Sequence, residues 1–307
     1  MVGDPLKLSQ ELEAAIPMTQ ADRRSTPLRV VLWGTCDTGK PRVRILCEGL
    51  RANGVEVIEC HADVWAGIED KSQIKNGLRW IGLLARILLA YPLLAWRYLR
   101  QPRHDWVLLG YPAIPDIFVI RLLAWFRGTP IALDWFLSAY DTVVMDRKLV
   151  SRRHPLSWCL YATEWLAVRL ADCVFMDTRA HADRLAAVFG MPPRSIGSVW
   201  VGAETSQFQP ADASHGHSPD HTFTVLFYGQ FIPLHGIPTI VEAAHLLRGE
   251  DIRWIVIGRG QESARVKAQL EHSPLPNLEW IEWVPYARLN QWLQSADVCL
   301  GIFGNSD

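Results

Sequence analysis

The chain has 307 residues, enough for two domains, and 49% of them are hydrophobic, which excludes a disordered or low-complexity class. A formal net charge of −1 leaves no electrostatic footprint for nucleic acid, and that partner class is set aside. The six cysteines (36, 47, 60, 159, 173 and 299) show neither close pairing nor metal-like spacing, a pattern that suits a reducing, cytoplasmic compartment.

Residues 1–26 lack the basic-then-apolar order of a signal peptide and read as a flexible tail with one short helix at most. From 27 to 208, short β-branched runs alternate with helical spacing. The expected strands are 28–34, 55–61, 106–111, 130–136, 173–178 and 198–202. The expected helices are 41–53, 77–100, 114–127, 155–171 and 179–189. Apolar strands separated by helices predict a parallel sheet covered on both faces, an α/β doubly wound domain.

The first strand runs into LWGTCDTGKPR, in which Gly34, Gly39 and Lys40 nearly complete a P-loop. The next residue is Pro41, which has no hydroxyl for Mg²⁺ and no N–H for an anion cradle. Proline suits the first position of a helix, so the segment reads as strand, glycine loop and helix tip. Such a tip favours anions. Gly34, Gly39, Lys40 and Arg42 are therefore candidates for an acceptor or phosphate loop, the alternative being an ordinary turn. Triphosphate hydrolysis is not expected.

Further on, RWIGLLARILLAYPLLAWRYLR (79–100) is read as too interrupted by arginine to span a bilayer. At 100° per residue, Lys75, Arg79, Arg86, Arg97 and Arg100 fall within an arc of about 60°. A basic stripe with flanking Trp and Tyr predicts peripheral contact with an anionic membrane. A helix that covers the sheet while its arginines snorkel is the alternative.

Residues 209–222 form a linker rich in Pro, Ser, Asp and His. His215, His217 and His221 lie in it and read as solvated side chains rather than a metal site, and no metal site is expected elsewhere. The alternation then restarts in 223–307, with strands at 223–229, 252–258, 278–284 and 297–303 and helices at 237–249, 261–271 and 286–295. A second strand–glycine loop–helix unit opens this part, with Gly229, Gly236 and Pro238. Two such units would place two helix tips across one cleft, beyond the carboxyl ends of the strands. The second set stops after its fourth strand, so the second domain is expected to be incomplete.

The ordered segments VWVGAETSQFQP, YGQFIPLHGIPTIVEAAHLL, IRWIVIGRGQE and LEWIEWVPYARLNQWLQSADVCLGIFG resemble the GT-B glycosyltransferases of family 4. The resemblance implies two Rossmann-like domains facing a cleft, and a retaining transferase that takes a nucleotide-sugar donor and no cofactor. A glycan or lipid-linked acceptor would dock on the first domain. Gly229, Gln230, Gly236, Gly258, Arg259, Gly260 and Val284 would bind the donor, the base lying near Trp283-Val284-Pro285. His235 would stabilise the diphosphate. The family commonly has Arg after the first glycine and Lys before the second; this chain has Gln230 and His235. Arg259, Lys40 and Arg42 are the cations that would compensate. The family's paired glutamates would follow the fourth strand, beyond Asp307. The absence of an Asp-x-Asp motif argues against a metal-dependent site. A catalytically inert, membrane-attached relic or scaffold of the same fold is the other reading.

Overall fold

A computed structural model of the chain describes residues 27–65, 77–210 and 221–304, excepting the side chains of 77–80. The tail at 1–26, most of the linker with His215 and His217, Lys75 and the side chain of Arg79 lie outside the described residues.

The first domain is a six-stranded parallel sheet in the order β2-β1-β3-β4-β5-β6. Its strands are β1 (Arg29–Gly34), β2 (Glu56–His61), β3 (Trp106–Leu109), β4 (Ile131–Asp134), β5 (Cys173–Met176) and β6 (Ile196–Ser198). Between them run α1 (Pro41–Ala52), α2 (Gly77–Leu99), α3 (Ile114–Arg127), α4 (Pro155–Leu170) and α5 (Arg179–Val188). Alternate residues of β1 point to opposite faces, as strand geometry requires. Val30 and Leu32 pack against Val43 and Cys47 of α1. Val31 and Trp33 join the larger core with Leu94, Ile117, Ile120, Ala167 and Leu185 from α2 to α5. The sheet order explains this: β1 to β2 steps one way, while the crossings carrying α2, α3 and α4 step the other, and right-handed crossovers put those three helices on one face.

Local signals set the helix ends. Pro41 is the first residue of α1, Thr178 caps α5 through the His181 amide, and α3 ends at Gly128 in the left-handed region (φ 63°). Ile81–Leu99 is long and apolar enough to cross a membrane, with mean hydropathy 1.3, contrary to the sequence expectation. Within the fold, Leu83, Leu94 and Tyr98 are buried, and Pro92 sits inside the helix without ending it.

The second domain is a four-stranded parallel sheet, β10-β7-β8-β9. The strands are β7 (Phe223–Tyr228), β8 (Ile252–Ile257), β9 (Leu278–Ile281) and β10 (Val298–Leu300), with α6 (Ile237–Leu246), α7 (Ser263–His272) and α8 (Tyr286–Gln294) between them. One expectation needs correction. The strand predicted at 198–202 is Ile196–Ser198, and Val199, Trp200 and Val201 are exposed beyond its end. A π-helical turn, Asp141–Asp146, also interrupts the passage from β4 to α4.

Candidate active site

The carboxyl ends of both sheets open onto one crevice of about 490 Å³. The first domain contributes Asp37, Gly39, Lys40 and Pro41 after β1, with Asp63 and Trp65 after β2. The second contributes Tyr228, Gly229 and Gln230 after β7, Gly258 and Arg259 after β8, and Glu282, Trp283 and Val284 after β9. Six of the predicted site residues therefore meet in one crevice besides Gly39: Lys40, Gly229, Gln230, Gly258, Arg259 and Val284.

The glycines allow a close approach that side chains would block. A Cβ on Gly258 (φ 151°) would lie 1.8 Å from the Gly229 carbonyl oxygen, so the loops after β7 and β8 interlock. Gly260 lies outside the lining and packs against the Phe231 backbone, where a Cβ would come within 2.7 Å of the carbonyl oxygen. Arg259 is exposed in the crevice and has no ion pair among the described residues. Trp283, 53% exposed, also lines the crevice.

Other predicted residues are engaged elsewhere. Arg42 is buried: Nη2 donates to Asp134 Oδ1 at 2.8 Å, Nε to Oδ2 at 3.1 Å and Nη1 to the Val199 carbonyl at 2.6 Å. It joins α1 to β4 and to the chain leaving β6, and it does not reach the crevice. Gly34 (φ 111°) also serves packing, since a Cβ there would lie 2.0 Å from Asp116 Oδ2. The Gly39 amide is already bonded to Asp37 Oδ1 at 3.0 Å, which places a carboxylate where a phosphate loop would hold its anion.

The tip of α6 is covered rather than open. Gly236 would meet the Phe303 carbonyl carbon at 2.5 Å if it had a Cβ, and the Phe303 and Gly304 amides donate to the carbonyls of His235 and Leu234. The expected clamp of two helix tips is thus replaced by one tip, that of α1, facing the strand-end loops of the second domain. His235 sits beneath the glycine loop, with Nδ1 bonded to the Gln230 carbonyl and its ring edge-on to Phe227. That bond makes Nδ1 the donor, and His235 is not among the residues that line the crevice.

Sequence reasoning missed three features. Asp116, in the first turn of α3, accepts from the Thr35 amide (2.6 Å), Thr35 Oγ1 (2.9 Å) and Tyr91 Oη (2.9 Å), one residue behind Trp65, whose Nε1 donates to the Thr35 carbonyl. Burial pushes its carboxyl up to about 7, against the pull of those donors. Glu164 of α4 is likewise buried under Ser138 and the Ala139 amide, and desolvation raises it to about 7. Third, Glu204 bridges the domains. It accepts from Arg44 Nε (2.7 Å) and Nη2 (2.8 Å) on α1 and from Tyr286 Oη (2.6 Å) on α8. No local pattern announces these partners, which lie up to 160 residues apart. His221 is exposed, and its Nε2 also meets Asp297 Oδ2 at 2.8 Å. Among the described residues no group of three His, Cys, Asp or Glu side chains converges on a common point.

Residues 209–300 match the family described as glycosyl transferases group 1. That stretch is similar to the group 1 glycosyl transferases. A chitobiosyldiphosphodolichol beta-mannosyltransferase of Eremothecium gossypii is 32% identical over 110 residues, which are 36% of this chain and 23% of that protein. Among solved structures, sucrose-phosphate synthase of Thermosynechococcus elongatus superposes with a TM-score of 0.60 at 14% identity, covering 91% of this chain and 77% of the other. The catalytic domain of starch synthase IV of Arabidopsis thaliana, bound to ADP and acarbose, gives 0.61 at 11% identity over 90% and 78%. At such identities these likenesses concern the fold: two Rossmann-like halves around a cleft, the GT-B arrangement. The matched segment thus supplies the strand-end loops after β7, β8 and β9, and residues 27–208 supply the opposing wall.

Proposed function

We propose that this chain transfers a sugar from a nucleotide-sugar donor to a glycan or lipid-linked acceptor, with retention of the anomeric configuration and without a metal ion or other cofactor. The observation that carries the reading is the shared crevice at the carboxyl ends of two parallel sheets, the position where such sheets bind ligands. Its volume falls within the usual range for small-molecule sites, about 300–1,000 Å³. Trp283 offers a stacking face for the base, and Lys40 and Arg259 supply positive charge to the diphosphate from opposite walls. In the transfer, the acceptor oxygen bonds to the anomeric carbon on the face from which the diphosphate departs. The acceptor's proton passes to the leaving phosphate oxygen, and charge on that oxygen is offset by Arg259. The name of the fungal relative specifies a dolichol-diphosphate-linked saccharide as that enzyme's acceptor, which supports an acceptor of lipid-linked type here.

Titration calorimetry with UDP, GDP and ADP in the presence of EDTA tests the donor site. At least one diphosphate is expected to bind, and binding by none of them would overturn the proposal. The anomeric proton coupling of a product tests the stereochemistry, and an inverted product removes retention while leaving transfer intact. The second reading, an inert scaffold, draws on Gln230 in place of a cation and on the engagement of His235 Nδ1. It predicts diphosphate binding with no product.

A further inference from the structure

We propose that the outer face of α2, α3 and α4 is a docking surface for an anionic lipid bilayer. The proposal deepens the reading of a lipid-linked acceptor and rests on it for its use. The three helices lie side by side on one face of the first sheet, and their outward sides are apolar rather than polar. Leu89 is 78% exposed, Trp125 67%, Phe126 70% and Trp158 71%, with Trp96 and Trp165 about half exposed or less. A soluble monomer rarely exposes a contiguous apolar patch larger than a few hundred Å².

Charge selects the occupant. Helix α2 contains no Asp or Glu, and the acids of α3 and α4, Asp116 and Glu164, are both buried. Exposed arginines remain: Arg86 and Arg97 on α2 and Arg100 just past its end, with Arg100 lying 3.7 Å over the Trp96 ring and Arg169 4.0 Å over Trp165. Residues 77–170 hold twelve Lys and Arg against six Asp and Glu, in a chain whose totals are 31 and 32. The near-zero net charge therefore conceals one basic region. Aromatic rings capped by guanidinium groups, on an acid-free apolar face, match the headgroup layer of an anionic membrane. A second copy of this chain fits badly, because pairing two such faces would set arginines against arginines.

The face also has the right extent. Ile81 and Leu156 stand near the helix N-termini, at the crevice end of the sheet, while Trp96, Phe126 and Leu166 stand near the other end. A bilayer on this face would run beside the crevice, so that a lipid-linked acceptor reaches it without leaving the membrane.

Vesicle flotation tests the proposal, using phosphatidylcholine alone and phosphatidylcholine mixed with phosphatidylglycerol. The chain is expected to float with the mixed vesicles and to be released by salt. Arg86→Glu with Arg100→Glu should cut partitioning by about fivefold or more per arginine. Trp125→Ser with Phe126→Ser should cut it comparably at any salt concentration. Both variants should keep the parent's melting temperature and nucleoside-diphosphate binding, which separates failure here from failure of the donor site. Absence of flotation with mixed vesicles, undiminished flotation of both variants, or a sedimenting dimer abolished by the Trp125 and Phe126 substitutions would each overturn it.

Discussion

Arg42 and Arg259 both follow a strand-end glycine loop, and burial separates their roles. Arg42 is held by Asp134 and two carbonyls inside the first domain, so Arg42→Ala leaves a buried carboxylate without its cation. Breaking such a pair costs about 3–5 kcal/mol, and a lower melting temperature is the expected readout. Arg259 is exposed in the crevice, so Arg259→Ala should leave the melting temperature within a degree or so and weaken diphosphate binding by about tenfold, near 1.4 kcal/mol. A stable Arg42→Ala protein with lost affinity would reverse this assignment. Asp116 and Glu164 make a prediction of the opposite electrostatic kind. Their folded-state pKa values are raised to about 7, so the folded protein holds protons that the unfolded chain releases near pH 4. Their contribution is present in full below about pH 4 and is lost as pH rises to 7 and above. Asp116→Asn should accordingly gain stability relative to the parent between pH 5 and pH 8, measured by urea denaturation. A difference that is flat with pH would show that Asp116 is ionised throughout.

Among the elements, the interlocked loops after β7 and β8 depend on backbone approach. Gly258→Ala must move the Gly229 carbonyl or abandon φ near 151°, and either outcome opens the crevice floor. The expected result is a loss of about 2–4 kcal/mol in stability, accompanied by loss of diphosphate binding. Retention of both would mean that the loops tolerate separation. The strands themselves could be read from the chain because parallel strands buried on both faces appear as short apolar runs, and each begins within one residue of its expected place, apart from β6, which begins two residues early. The run SVWVG has strand-like composition, yet its apolar residues lie past the sheet edge, where the chain crosses to the second domain. Pro41 announced the tip of α1 because proline's missing N–H is a local property. The covering of the α6 tip depends on Phe303 and Gly304, nearly 70 residues away from Gly236, and the burial of Arg42 depends on Asp134, 92 residues away. Signals within a turn could be read, whereas those needing a distant partner could not.

At the scale of the whole molecule, the relation between the two halves rests on Glu204. Its carboxylate takes two bonds from Arg44 of the first domain and one from Tyr286, the first residue of α8 and part of the crevice wall. Phe208 packs edge-on against the Tyr286 ring, and Gln294 at the other end of α8 donates to the Gln209 carbonyl. The strap 204–209 thus braces α8 at both ends. Arg44 hydrogen bonding holds the Glu204 carboxyl below its usual range, so the contribution of the bridge is present above about pH 4.5 and lost as pH falls through the lower folded value. That sign is opposite to the sign for Asp116 and Glu164. Arg44→Met and Tyr286→Phe each remove one arm of the bridge. If the arms act together through Glu204, the double variant should lose less than the sum of the single losses, with a coupling of about 1 kcal/mol in a denaturation cycle. Small-angle scattering should show Glu204→Gln to be more extended than the parent at neutral pH, and diphosphate should draw it back toward the parental radius by bridging both walls. Additive losses together with an unchanged radius would mean that the two halves are held by other contacts and that Glu204 merely fills a surface gap.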